Sequence, residues 1–111
     1  EIFKKKKPDF LTNVLPRSFP KGQSIEIFKS KFFVENFKKI KKKYDLEHVT
    51  TFFYFNKKKF NFINIKNDKN LSKISMCIDY KNDLNVANKA LLNLKPQLKI
   101  KNWKKYIKFF K

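Results

Sequence analysis

The sequence is poor in the residues that build many familiar sites. It has one cysteine, Cys77, one glycine, Gly22, one histidine, His48, and one arginine, Arg17, in 111 residues. A single cysteine excludes an internal disulfide and a cysteine-rich zinc site. A single glycine excludes a glycine-rich phosphate loop, and a single histidine leaves no His/Cys metal cluster. There is no Ser-His-Asp order with a helpful local context. No apolar run approaches the length of a membrane span, and no secretory leader pattern is visible. A reducing, cytoplasmic setting without membrane partners fits this composition. Acidic residues are also scarce, 9 against 28 Lys and Arg, so the net charge is +19.

That charge invites a nucleic-acid reading, but the composition explains it more simply. Lys, Asn, Ile and Phe make up 63 of the 111 residues. All four are encoded by A/T-only codons, so tolerant surface positions drift to Lys and tolerant core positions to Ile or Phe. A selected nucleic-acid surface would use more arginine, whose planar fork matches phosphates and base edges. The lysines are spread along the whole chain instead of gathered in one patch. Phe52–Phe55 followed by Lys57–Lys59 suggests base stacking, yet core packing accounts for those rings equally well. A small basic RNA- or polyanion-binding module is the alternative reading and nucleic acid is not favoured.

In chain order, residues 1–9 are charged and read as a lead-in from upstream chain. Phe10 to Phe19, with Pro16 inside and Pro20 after, reads as extended chain or an edge segment. Pro20-Lys21-Gly22 is a turn in which Gly22 takes positive φ. Ser24–Phe28 alternates like a short strand, Ile25 and Ile27 on one face and Glu26 on the other. Ser30 reads as an N-cap, and Phe33, Phe37, Ile40 and Tyr44 predict one amphipathic helix. Asp45–Asn56 is readable either as strand, from its β-branched and aromatic content, or as a helix turning Val49, Phe52 and Phe53 inward. Phe60–Ile65 reads as strand and Asn67–Asn70 as a polar turn. Pro96 is expected to end the helix that precedes it, and Trp103–Phe110 to form a terminal amphipathic helix.

The stretch Ile74–Leu84 organises the rest. Ile74, Met76 and Ile78 alternate with polar neighbours as a strand, which makes Cys77 a buried core thiol on that strand. Leu84, Ala87, Leu91 and Leu94 then follow at helical spacing. Asp79 therefore stands at the carboxyl end of a strand where a helix begins, the edge at which open α/β sheets bind ligands. A carboxylate there holds Mg²⁺ on a nucleotide phosphate, or simply caps the helix while Asp83 complements its dipole.

Five pieces in order resemble one family: Asn13-Val14-Leu15-Pro16 with Phe19-Pro20-Lys21-Gly22; Ile25-Glu26-Ile27-Phe28; Glu47-His48-Val49-Thr50; Asn64 with Leu71-Ser72; and Ile78-Asp79 with Asp83-Leu84. From about Asp9 to Leu94 the chain is similar to the carboxyl-terminal half of the spore-coat-polysaccharide-type cytidylyltransferases, relatives of the acylneuraminate and ketodeoxyoctulosonate cytidylyltransferases. The resemblance implies an α/β chain, part of a nucleotide-diphospho-sugar-transferase-like, Rossmann-like fold. It implies residues 1–95 as the carboxyl-terminal half of a cytidylyltransferase domain and residues 96–111 as a basic terminal helix or tail. The implied reaction is attack of a sugar oxygen on the α-phosphorus of CTP, giving a CMP-sugar and pyrophosphate, with Mg²⁺ as cofactor. CTP and a sugar are the implied partners, and a homodimer is a further expectation.

The same resemblance assigns the candidate residues. Asp79 would bind metal and act in catalysis; Arg17, Glu26, Glu47 and His48 would bind substrate. Each has an ordinary alternative: a surface charge for Arg17, a solvated strand-face charge for Glu26, a helix-start residue for His48. The family's Arg-x-Gly-Ser-x-Arg-Leu-Pro-Gly-Lys phosphate loop has no counterpart here, so the chain reads as a fragment inactive alone. Two departures bear on the sugar pocket. Ser24 stands where relatives carry Asp. Leu46 and Thr51 flank Glu47-His48-Val49-Thr50 where relatives carry Arg and Pro.

Overall fold

Three rings in a row set the first unit. Phe10, Phe28 and Phe62 fall opposite one another on three neighbouring strands, so strand pairing and ring packing select the same register. The strands are β1 (Phe10–Thr12), β2 (Glu26–Phe28) and β3 (Phe62–Asn64), in the order β2-β1-β3. β1 runs antiparallel to β2, with Phe10 opposite Phe28, and parallel to β3, with Phe10 opposite Phe62. The Phe10 ring stacks on Phe28 at 5.5 Å and on Phe62 at 5.1 Å. In this computed structural model residues 1–94 and 103–110 are described. They divide into two compact units, one of residues Glu1–Pro16 and Ile25–Lys66, the other of Arg17–Ser24 and the chain from Asn67 onward.

Within the first unit, helices α2 (Ser30–Phe37) and α4 (Thr51–Phe55) pack their rings on the phenylalanine face, and α3 (Lys43–Glu47) lies between them in the chain. Phe53 is fully buried and meets Phe10 at 5.8 Å and Phe32 at 5.1 Å; Phe32 in turn meets Phe60 edge-on at 4.9 Å. Such ring pairs each add about 0.5–1.5 kcal/mol beyond their buried area. Aromatic packing, not charge, holds this unit: among the described residues the one ion pair, Lys31 with Glu35 at 3.9 Å, lies on an exposed helix face. The lead-in expected at residues 1–9 contains a short helix, α1 (Ile2–Lys6).

Two expectations are corrected here, and one left open between strand and helix is decided. Phe10–Phe19 is not an edge: β1 is the central strand, buried on both faces. Its two prolines lie past Thr12, outside the ladder, and leave every pairing amide intact. The single helix from Ser30 to Tyr44 breaks after Phe37. The buried Asn36 amide turns back to the Phe32 carbonyl at 2.9 Å, and Lys39 and Ile40 close tight i→i−3 bonds. A side-chain amide competing for helix carbonyls, followed by a run of like charges, ends the helix there. Asp45–Asn56 resolves as two helical turns, not strand, because tertiary burial of Phe53 overrides the β-propensity of its neighbours.

In the second unit, α5 (Lys81–Asn93) packs against a 3₁₀ turn at Ile107–Phe109. Ile74–Ile78 does not form a strand of a sheet. It makes one parallel bridge, Lys21 with Ser75, in which the Lys21 amide donates to Ile74 at 2.9 Å and the Met76 amide to Lys21 at 2.8 Å. The ladder stops because Pro20 has no N–H and Gly22 turns the chain away at φ +88°. Cys77 is accordingly half-buried off any strand, not a core thiol. The α5 stripe is only partly covered: Leu84 is 47% and Leu91 52% exposed, Ala87 and Leu94 are half-buried, and Ala90, outside the stripe, is the buried residue. Trp103–Phe110 forms two 3₁₀ turns in place of one helix. The boundary expected at residues 95–96, and Pro96 as a helix stop, lie outside the described residues. No helix among the described residues is long and apolar enough to cross a membrane.

Candidate functional site

The strand register that builds the core also aims a carboxylate. Glu26 and Thr12 are cross-strand partners on the phenylalanine face of the sheet, two pairs along from Phe28 and Phe10. Tyr54, on α4, lays its ring edge-on against Phe10 at 5.6 Å and Phe62 at 5.8 Å. Its hydroxyl reaches past the core rim to hydrogen-bond Glu26 Oε1 and lies 3.1 Å from Thr12 Oγ1. Thr50, four residues before Tyr54 and so on the same helical face, donates its hydroxyl to Glu26 Oε1 at 3.1 Å. One oxygen of an exposed carboxylate is thus fixed by two hydroxyls, and Oε2 takes no hydrogen bond from the described residues. A carboxylate so held is prepared to accept hydrogen bonds from a ligand's hydroxyl or amine groups.

Two of the family-like runs, Ile25–Phe28 and Glu47–Thr50, therefore meet through Thr50 and Glu26. Glu47 and His48 themselves are exposed and make no hydrogen bond to Glu26. His48 is the residue after α3, its ring against Tyr44 at 4.4 Å. Its carbonyl accepts from the Thr51 amide at 2.9 Å and the Thr51 hydroxyl at 2.5 Å, which anchors the start of α4. Two asparagines brace the same unit: Asn13 Oδ1 accepts the Ile25 amide at 2.9 Å, and Asn64 Oδ1 accepts the Leu15 amide at 2.9 Å. Tyr54, Thr50 and Thr12 were not singled out from the sequence. The i,i+4 spacing of Thr50 and Tyr54 carried the signal, but only once that segment is known to be helical.

The remaining candidates belong to the second unit. Arg17 is half-buried and its Nη1 donates to Ser24 Oγ at 3.1 Å. The arginine thus pairs with a neutral hydroxyl and makes no ion pair with the described residues. Asp79 is exposed just before α5. The helix is capped not by Asp79 but by Asp83, whose Oδ2 accepts the amides of Tyr80 at 2.9 Å and Asp79 at 3.1 Å. The Asp79 carboxylate itself makes no hydrogen bond or ion pair with the described residues. Among the described residues no three His, Cys, Asp or Glu side chains gather into a metal-holding group. Magnesium bound through one carboxylate, substrate phosphates and water needs no such cage, so a lone exposed carboxylate such as Asp79 could serve as one ligand, though not from the end of a sheet strand as expected.

A solved structure of a cytidylyltransferase from Leptospira borgpetersenii serovar Hardjo-bovis matches 83% of this chain with a TM-score of 0.74 and 26% sequence identity. This chain is similar to a cytidylyltransferase. The match spans 39% of that protein's length. No protein-family model and no curated protein sequence matches the chain. The mixed α/β organisation agrees with the expectation from sequence.

Proposed function

We propose that this chain is the sugar-side, carboxyl-terminal half of a spore-coat-polysaccharide-type cytidylyltransferase with a Rossmann-like nucleotide-diphospho-sugar-transferase fold. The complete enzyme would activate a sugar for polysaccharide or glycan synthesis. A sugar hydroxyl oxygen attacks the α-phosphorus of CTP, the bond to the β-phosphate oxygen breaks, pyrophosphate leaves and the hydroxyl proton passes to solvent or a base. The observation that carries this reading is the structural likeness to a cytidylyltransferase over 83% of the chain. The Glu26 cluster gives it chemistry: an oriented acceptor for sugar hydroxyls. Arg17 would meet an anionic group of the substrate, and Glu47 and His48 would line the same side of the first unit as Thr50. Asp79 would hold Mg²⁺, which neutralises charge on the phosphates when bound.

The test is a ligand titration of the ¹⁵N-labelled chain. N-acetylneuraminate and ketodeoxyoctulosonate should shift the amides of Glu26, Thr50 and Tyr54, and Glu26→Gln should remove the effect. If no acidic sugar shifts these signals while a short RNA binds with steep salt dependence, the enzyme reading fails and the basic-module reading replaces it.

A further inference from the structure

The hydrogen bonds around Glu26 have a direction, and their far end lies in the core. A carboxylate only accepts, so the single Tyr54 hydroxyl proton is committed to Glu26 Oε1. The Tyr54 oxygen must then accept from its neighbour 3.1 Å away, the Thr12 hydroxyl. Thr12 Oγ1 in turn accepts the Val14 amide at 3.3 Å, a donor that cannot reverse. Every proton in the series points the same way: from Val14 to Thr12, from Thr12 to Tyr54, from Tyr54 to Glu26. Hydrogen bonds so aligned polarise and strengthen one another. Thr12 is fully buried and the Tyr54 ring lies edge-on against Phe10 and Phe62, so packing fixes where both hydroxyls stand.

Two further observations separate this arrangement from ordinary packing. Thr50 occupies the N-cap position of α4, where a threonine hydroxyl ordinarily accepts a helix amide. It makes no cap bond and donates to Glu26 Oε1 instead. Glu26 makes no ion pair with the described residues, in a chain that carries 28 Lys and Arg. Its charge is held by neutral hydroxyls, so it is oriented without being neutralised. Thr12 and its β3 partner Asn64 mark the carboxyl end of the parallel strands, the edge where open α/β sheets bind ligands.

We propose that Thr12 and Tyr54 are positioning residues, the links of a one-way relay that keeps Glu26 an obligate hydrogen-bond acceptor with Oε2 left for a ligand. The ligand group that Oε2 takes is a hydroxyl; a carboxylate or phosphate oxygen brings no proton and is repelled. Thr12 acts at one remove. Buried, it touches no ligand, yet its hydroxyl commits the Tyr54 proton to Glu26. For the identity of the ligand the inference rests on the enzyme reading above; the relay itself does not.

Three variants of the full chain separate a relay from packing. Without ligand, the Hα–Hβ and Hβ–Hγ couplings of the labelled protein read the Glu26 rotamer, and the parent should hold one. Tyr54→Phe keeps the ring without its hydroxyl, and Thr12→Val keeps the buried volume without its hydroxyl; both should average the couplings. Thr12→Ser keeps the hydroxyl and loses a methyl, so it should lower the melting temperature yet hold the single rotamer. Packing alone gives the reverse order, with Thr12→Ser disturbed and Thr12→Val like the parent. With N-acetylneuraminate as the probe, Tyr54→Phe and Thr12→Val should each bind about tenfold more weakly than the parent, and Thr12→Ser within about twofold of it. A parent that does not bind this probe counts against the enzyme reading, and the couplings still decide the relay. The inference is overturned if Glu26 is averaged in the parent or keeps one rotamer in both Tyr54→Phe and Thr12→Val. It is also overturned if Thr12→Ser averages the couplings as Thr12→Val does.

Discussion

Replacing Gly22 with alanine tests how the second unit is held. Gly22 sits at φ +88°, and a Cβ built there would lie 2.9 Å from the Met76 carbonyl carbon and 3.0 Å from the Cys77 nitrogen. Those neighbours are backbone, so no side-chain rotation can relieve the contact. Left-handed backbone costs an L-residue about 1–2 kcal/mol, and forcing packed atoms apart costs about 1–3 kcal/mol more. The lower entropy of the unfolded alanine chain returns about 0.4–1 kcal/mol. The net loss is about 1–4 kcal/mol, a large share of a small unit's stability. Trp103, the sole tryptophan, belongs to the second unit and lies 6.1 Å from Phe19, so its fluorescence reports unfolding there. The melting temperature should fall on the order of 10 °C, and the Lys21 and Met76 amides should exchange faster. Gly22→Asn separates the two causes: asparagine tolerates positive φ but carries the same Cβ, so it should recover only part of the loss. An alanine variant within about 0.5 kcal/mol of the parent, with both amides still protected, refutes the reasoning.

Further outcomes follow from the same geometry. Phe53→Ala should cost about 3–5 kcal/mol in denaturant unfolding, because the ring is fully buried among other rings; a loss under 1 kcal/mol contradicts the described core. Ser24→Asp should place a carboxylate beside Arg17 and raise stability by less than about 1 kcal/mol, with the gain fading as salt is added. Asp83→Ala should cost about 0.5–2 kcal/mol through the lost cap, whereas Asp79→Asn should leave the melting temperature unchanged. In a complete enzyme, Asp79→Asn should lower turnover by about 100-fold or more across a Mg²⁺ series; normal turnover removes Asp79 from the metal. The isolated chain should make no CMP-sugar from CTP, as read by chromatography of the nucleotide products, and product from the pure chain contradicts the proposal.

The legible parts of the sequence were those where a local signal and the tertiary context agree. The φ-positive turn at Gly22, the short strands around Ile27 and Ile63 and the start of α5 near Asn82 are each written in a few adjacent residues. What failed depended on distant partners. Whether Phe10–Thr12 is edge or centre is decided by β3, some fifty residues on, and nothing in the strand itself says so. Ile74–Ile78 has a strand's alternation, but a strand also needs a neighbour with free amides, and its neighbour contains Pro20 and Gly22. For the site, Glu26 was visible as a lone acid on a short strand. The hydroxyls that fix it come from another element and appear only when Thr50 and Tyr54 share a helix face.

The parallel pairing of β1 with β3 and the Lys21–Ser75 bridge share a kinetic consequence. Each joins residues about fifty apart, with the other unit's segment inserted between them. Neither unit is a continuous stretch of chain. During synthesis β1 emerges with its antiparallel neighbour but must wait for β3 before its second edge is covered, and Arg17–Ser24 must wait longer still. Closing such loops before any contact rewards them slows folding. Cutting the chain after Lys66 would therefore not release a tidy first unit: it would strand Arg17–Ser24 as an unpaired insert.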